Sequence, residues 1–260
     1  MSLSFFEKFK ILLKAITVLN NWYYFPMVYF GMIKNDHAYF STRSGLQIKI
    51  RTDSTDLDTF TLIWLQKEYS KFGFEIHDND AIIDVGSHIG LFALYASQFC
   101  EKGKILCFEP NQDNYALLLS NIESNKITNI VPYNIAISNT DNDVTLYLNA
   151  DNTAHSLHIP NSKYVKVKAF TLQHVFDSNK LETCDYLKLD CEGSEYDIIE
   201  SLPDEYFKKI KKIYIEYHFF DTKPELVSKL VKRLESLSYS IIKIPMAFGM
   251  GSIYAKQKDV

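Results

Sequence analysis

Four short stretches of this chain carry residue types and spacings suited to chemistry. In Ile83-Asp84-Val85-Gly86-Ser87-His88-Ile89-Gly90-Leu91, an apolar run hands an acidic residue and two glycines to the start of a helical pattern. Glycine lets a backbone approach a ligand without a Cβ clash, and a helix start offers unsatisfied N–H donors to an anionic group such as a carboxylate. The spacing is GxxxG, which is neither the GxGxxG of dinucleotide sites nor the GxxxxGK[ST] of a phosphate loop. In Cys107-Phe108-Glu109-Pro110 an acidic residue follows the glycine loop by about twenty residues, the distance at which a carboxylate can accept ribose hydroxyls. A solvated strand-end glutamate would look the same in isolation; loop and glutamate together favour a bound nucleoside. The run Leu187-Lys188-Leu189-Asp190-Cys191-Glu192-Gly193-Ser194-Glu195 crowds three carboxylates at one strand end. Like charges held close raise one another's pKa, which suits proton transfer, although Glu192 and Glu195 also fit as favourable charges at the start of the next helix. Ile215-Glu216-Tyr217-His218 ends a further strand with a histidine able to act as a base near neutral pH.

The elements that must position these residues follow from hydrophobic periodicity. From Asp80 onward, short apolar runs alternate with helical stretches, as in βαβ units around a parallel sheet. Strands are expected at 81–83 ending on Asp84, 104–108 ending on Glu109, 130–137, 186–189 ending on Asp190, and 213–217. Helices are expected at 89–99, 111–124, 194–202 and 225–237. The stretch 143–170 reads as added hairpin strands, and 239–244 with 251–255 as a terminal antiparallel pair. Open α/β sheets bind ligands at the carboxyl ends of their strands, where all four stretches fall. Before Asp80 lie a helical segment from Phe5 to Leu19, an aromatic run from Trp22 to Phe30, alternating runs at 38–41 and 46–51, and a helical pattern near 56–70. The expected organisation is therefore an N-terminal extension over 1–79 and a ligand-binding α/β domain over 80–260.

Bulk properties narrow the function. A hydrophobic fraction of 47% over 260 residues supplies a sizeable core and excludes disorder. The net charge of −4 marks no nucleic-acid binder. Four cysteines form no CxxC pair or zinc-type cluster, so reduced, buried thiols are expected. No apolar run of membrane-spanning length and no cleavage-site pattern is present, which makes the cytoplasm the default expectation.

Taken in order, DVGSHIG, FEP, NIAIS (Asn134–Ser138), KLDCEGSE and IEYH resemble the FkbM family of S-adenosylmethionine-dependent methyltransferases over roughly Asp80 to His218, and SGLQIKIR followed by TDLDTF resembles the segment preceding that domain in the family. The resemblance implies a Rossmann-like class I methyltransferase sheet, mostly parallel, with S-adenosyl-L-methionine as cofactor. It places Asp84, Gly86, Ser87 and Gly90 around the methionine part, Glu109 and Pro110 at the ribose, and Ile135 and Ala136 at the adenine edge. Asp190, Glu192 and His218 become the catalytic group, with Glu216 and, by a looser match of the segment 152–157, His155 and Ser156 at the acceptor. Family members commonly methylate oxygen on sugars or natural products, so the expected acceptor is a hydroxyl of a small molecule or glycan. No residue is assigned to a metal, although the carboxylate cluster leaves metal assistance open. Ser87-His88 stands where an Ala-Asn pair is more usual, a change that leaves both glycines intact.

Two alternatives compete with this reading. A nicotinamide-dependent oxidoreductase also wants an acidic ribose ligand, but lacks its GxGxxG here. A non-catalytic binding module would keep the fold without transfer. The N-terminal segment carries two further readings. Phe5, Phe6, Phe9, Leu12, Leu13, Ile16 and Leu19 form one broad helical face that would pack on the domain and cap the acceptor side. Alternatively, Lys8, Lys10 and Lys14 with the aromatics would make a peripheral membrane contact.

Overall fold

Five runs rich in branched and aromatic residues build the centre of the computed structural model, which describes residues 5–149, 155–246 and 249–258. The chain begins with helices α1 (Phe5–Val18) and α2 (Tyr24–Tyr29), an antiparallel pair β1 (His37–Ser41) and β2 (Gln47–Arg51), and helix α3 (Asp56–Phe60). Then come β3 (Ala81–Val85), α4 (Leu91–Ser97), β4 (Lys104–Phe108), α5 (Gln112–Ser124), β5 (Ile130–Tyr133), β6 (Ala136–Ser138), β7 (Val144–Tyr147), β8 (Tyr164–Val167) and β9 (Ala169–Thr171). The remainder is α6 (Leu172–Ser178), β10 (Tyr186–Leu189), α7 (Glu195–Ser201), α8 (Asp204–Phe207), β11 (Lys212–Tyr217), α9 (Pro224–Ser236), β12 (Tyr239–Pro245) and β13 (Gly251–Gln257).

The main sheet has the order β12-β13-β11-β10-β3-β4-β5, with β13 antiparallel to both neighbours and β3, β4, β5, β10 and β11 mutually parallel. From β3 the chain first winds outward through β4 and β5, then returns to add β10 and β11 on the other side. The carboxyl ends of β3 and β10 therefore flank the switch point, where such sheets open a crevice. Period-two alternation sends Ile82, Ile105, Tyr186 and Tyr214 to one face, and Ile83, Leu106, Leu187 and Ile213 to the other. Both faces are covered, so the central strands are mostly apolar, with the buried Asp84 of β3 and Lys188 of β10 as charged exceptions.

The first face packs against α4, α5 and the N-terminal extension. Phe40, Phe60, Trp64 and Phe74 join Ile82, Leu94 and Tyr186 in one continuous core, and the Trp64 indole N–H donates to the Leu91 carbonyl at 3.1 Å. The division expected near residue 79 is thus bridged by a shared core. Helix α1 buries Ile11, Ala15 and the following Leu19, while Phe6, Phe9 and Leu13 remain exposed. The broad face expected of this segment is split in two, and only part of it is core.

Two other expectations need correction. The helical pattern near 56–70 is broken into α3, a π-type turn over 61–65 and a short 3₁₀ turn over 68–70. The wide turn lets Ile63, Trp64 and Leu65, three consecutive residues, all bury. The strand expected at 130–137 divides at Asn134, whose amide Nδ2 donates to the carbonyls of Glu109 (2.9 Å) and Pro110 (3.1 Å). Its second half, β6, leaves the main sheet and pairs with β9. The added strands expected in 143–170 are the hairpin β7–β8 and β9. All four cysteines are free thiols. Among the described residues, no helix is long and apolar enough to cross a membrane.

Candidate active site

The loop after β3 is held from beneath. Asp84 is fully buried, and the ammonium of Lys188 on β10 lies 3.0 Å from its carboxylate. Burial raises the Asp84 carboxyl above its ordinary value against the pull of Lys188, and Lys188, although equally buried, is held above its usual value by Asp84 and Asp190. Lys188 also donates to the Gly86 carbonyl at 2.9 Å. Gly86 has φ +74, and a Cβ there would collide with the Asp190 carbonyl. Its freedom serves the close approach of β3 to β10. Gly90, at φ +85, is pressed in the same way against Leu118 of α5.

The loop's amides are spoken for within the protein. Gly86 and Ser87 donate to the Phe108 carbonyl at 3.0 and 3.1 Å, Gly90 to Ser87 at 2.8 Å, and His88 to Glu109 Oε2 at 2.8 Å. The expected presentation of these donors to an anionic ligand is therefore not found at these four positions. Ser87 points inward, its hydroxyl donating to the Asp84 carbonyl at 2.8 Å.

Glu109 stands at the end of β4 with its other oxygen accepting from the Asn111 amide at 2.9 Å. Burial raises its carboxyl above the ordinary value, against the pull of His88 and these hydrogen bonds. Oε1 also accepts from the Asn114 amide at 3.4 Å, so the bonds fix both oxygens in place and leave spare lone-pair capacity for a ligand hydroxyl mainly on Oε2.

A network that sequence reasoning missed braces this corner. Arg51 of β2 meets the buried Asp56 carboxylate at 2.8 Å, Asn114 Oδ1 at 2.8 Å and His88 Nε2 at 2.6 Å. Burial would raise Asp56, but hydrogen bonds from His88 and Arg51 hold it well below the usual carboxylate range. The signal was present as QIKIR, TDLD and the unusual His88, but those residues meet only in three dimensions.

The opposite wall is acidic. Glu192 and Gly193 adopt consecutive left-handed conformations (φ 53 and 105), curling the loop so that Glu195 accepts from the Cys191 and Gly193 amides, both at 2.8 Å. His218 lies between Glu195 (3.2 Å) and Glu192 (3.5 Å). Burial opposes its charge, but Glu195, then Glu192 and Asp190, outweigh it and push the imidazole up to about 10. The two flanking carboxylates favour the charged imidazole, a form with no free lone pair for the role of base expected of His218. Glu216 moves the other way: burial, then the nearby charge of Asp190, raise its carboxyl to about 8. Asp190 also accepts from the Tyr69 hydroxyl at 3.3 Å.

A cleft of about 680 Å³ runs between these walls. Gly86, Glu109, Pro110, Ala136, Asp190, Glu192, Glu216 and His155 all line it. Asp84, Ser87, Gly90, Ser156 and His218 do not and are buried behind the wall; Ile135, half-buried, also falls outside the cleft, and the apolar surface expected from Ile135-Ala136 comes from Ala136 and Ile137. Ser156 reaches the site indirectly, its hydroxyl donating to the Glu192 carbonyl at 2.6 Å. Residues 152–154 of the expected acceptor loop fall outside the described residues. Thr55, Asp58, Thr59 and Leu62 of the extension complete the cleft.

The sequence profile of the methyltransferase FkbM domain matches residues 84–241. The chain belongs to the FkbM methyltransferase family. Methyltransferase 1 of Beauveria bassiana is 23% identical over 176 residues, covering 59% of this chain and 70% of that protein. Among solved structures, a candidate rRNA methylase from Clostridium thermocellum superposes with a TM-score of 0.50 at 8% identity, covering 74% of this chain and 94% of that one, a likeness of fold. An FkbM methyltransferase from Methylobacillus flagellatus covers 76% of this chain and 53% of its own, with 16% identity and a TM-score of 0.48.

This family membership makes the chain an S-adenosylmethionine-dependent methyltransferase and removes the nicotinamide alternative. The cleft suits that cofactor: Glu109 offers oxygens for ribose hydroxyls, Phe108, Pro110, Ala136 and Ile137 an apolar berth for an adenine, and the acidic wall a negative surrounding for a sulfonium. Asp190, Glu216 and His218 also bring ligand-type atoms within 4.8 Å of one another. A divalent cation there would have to displace the proton that Glu195 and Glu192 hold on the imidazole.

Proposed function

We propose that this methyltransferase acts on a hydroxyl of a sugar, glycan or other small natural product. The observation that carries the reading is the carboxyl of Glu216, which lines the cleft beside Asp190 and is raised to about 8. A hydroxyl is a poor nucleophile until it loses its proton, and a carboxylate of raised basicity within hydrogen-bond reach takes that proton, for an acceleration of ~10²–10⁴. S-adenosylmethionine supplies the electrophilic methyl on its sulfonium. The remaining task is alignment, worth ~7–11 kcal/mol when acceptor oxygen and methyl carbon are held in line. His218, charged between Glu192 and Glu195, is a positioning residue that fixes the acidic wall without taking the proton itself. The protein's net charge of −4 supports a small acceptor over a polyanionic nucleic acid. The test is incubation of the protein with isotopically labelled S-adenosylmethionine and a panel of hydroxyl, amine and thiol acceptors. Mass spectrometry should find the label on oxygen; label only on nitrogen or sulfur would refute the reading.

A further inference from the structure

Helix α1 has two apolar stripes, and the fold uses one. At about 100° per residue, Ile11 and Ala15 point into the core and are buried, whereas Phe6, Phe9 and Leu13 form a second stripe well round the helix. They stay exposed by 63%, 48% and 47%. Helix α2 and its following turn continue this surface with Tyr29, Phe30 and Met32, exposed by 45%, 71% and 61%. The surfaces are contiguous: the Lys8 ammonium lies 5.5 Å from the Tyr29 ring, Lys10 lies 4.5 Å from the Phe6 ring, and Phe9, Tyr29 and Phe30 share an apolar groove of about 380 Å³. Exposed contiguous aromatics of this kind mark an interaction site.

The charges around the stripe choose the partner. Lys8, Lys10 and Lys14 are exposed on α1 and Lys34 on the segment after α2, with Arg43 beside the end of α1, where it donates to the Ile16 carbonyl. Against them stand Glu7, Asp36 and Asp58, the last at the groove itself. This local basic excess occurs in a chain whose net charge is −4, so it is a property of the face. An amphipathic helix with lysines bordering Phe and Leu is the pattern of an element that lies in a membrane interface, and Trp22 and Tyr23, also exposed, are the ring types that settle at headgroup depth. We infer that the α1–α2 face seats the protein on an anionic phospholipid bilayer. The groove shares Asp58 with the catalytic cleft, so this seating puts the cleft near the membrane surface whatever its acceptor.

Full-length protein should co-sediment with vesicles of phosphatidylcholine and phosphatidylserine at low salt, not with phosphatidylcholine alone, and high salt should weaken the binding. Phe6→Ser with Phe9→Ser should lower vesicle affinity by more than about tenfold, while the unfolding midpoint and S-adenosylhomocysteine affinity match the parent. Lys10→Glu with Lys14→Glu, which leaves the apolar stripe intact, should also lose anionic-vesicle binding. Parent protein that stays in solution with anionic vesicles, or substituted proteins that bind as the parent does, would overturn the proposal. A dimer dissolved by the two serine substitutions, in a protein that ignores vesicles, would overturn it in favour of self-association.

Discussion

His218 Nδ1 lies 3.2 Å from Glu195 Oε1, and the two side chains are 5% and 0% exposed. Each depends on the other for its charge. His218→Ala should therefore destabilise the protein by ~3–5 kcal/mol, because it leaves a buried carboxylate without its cation. Denaturant unfolding measures this. The pH dependence has a definite sign. A histidine raised to about 10 contributes stability that is fully present below its ordinary value and is lost as pH rises toward and through about 10. Wild-type stability should fall across that window by more than that of the alanine variant; parallel curves would remove the cation from this pair.

Glu216 sets a second pH dependence. Its basic form predominates above about 8, so turnover with a hydroxyl acceptor should climb as pH rises through that region. Glu216→Gln should lower turnover by ~10²–10⁴-fold and leave S-adenosylhomocysteine affinity, measured by calorimetry, close to that of the parent. A Gln variant with the same rate and the same profile would exclude Glu216 as the base.

Asp190, which lines the cleft beside Tyr69 and Lys188, is proposed to face the methyl acceptor. Asp190→Asn should cut turnover far more than cofactor affinity. If both fall together, Asp190 acts on the cofactor instead, and the acceptor assignment is wrong.

Glu109, on the opposite side of the cleft, is proposed to hold the cofactor ribose. Glu109→Ala removes a charge-assisted acceptor and should weaken S-adenosylhomocysteine binding by more than ~1 kcal/mol. Equal affinities by calorimetry would take Glu109 out of the site.

Arg51 tests whether the extension belongs to the cofactor corner. Arg51→Met removes the bidentate partner of the buried Asp56 carboxylate and leaves it to His88, for a cost of ~3–5 kcal/mol in unfolding experiments. It should also weaken S-adenosylhomocysteine binding at temperatures where the variant is still folded, because His88 loses its brace beside Glu109. Unchanged affinity in the folded variant would confine the network to stability.

Much of the site was legible because a parallel sheet collects strand ends at one edge. The apolar runs at 81–85, 104–108, 186–189 and 212–217 specify the strands, and the residues that follow them, Gly86, Glu109, Asp190 and the strand-end Glu216, reach the cleft for that reason alone. Asp84 and His218 carry the same kind of signal and are nevertheless buried behind the wall. Where the strand ends and how the following loop curves, which no spacing rule contains, decide which side of the wall a strand-end residue occupies.

The sequence by itself determined the strand and helix order, the glycine loop, the acidic strand ends and the family. Only the tertiary structure decided the charges. His218 is a cation and Glu216 a weak acid because burial removes water from both and places Glu195, Glu192 and Asp190 at distances that chain separation does not reveal. The tertiary fold also split the amphipathic N-terminal helix into a buried and an exposed stripe. Apolar periodicity reports that a residue prefers to leave water, whereas what it leaves water for depends on which surfaces the rest of the chain brings against it.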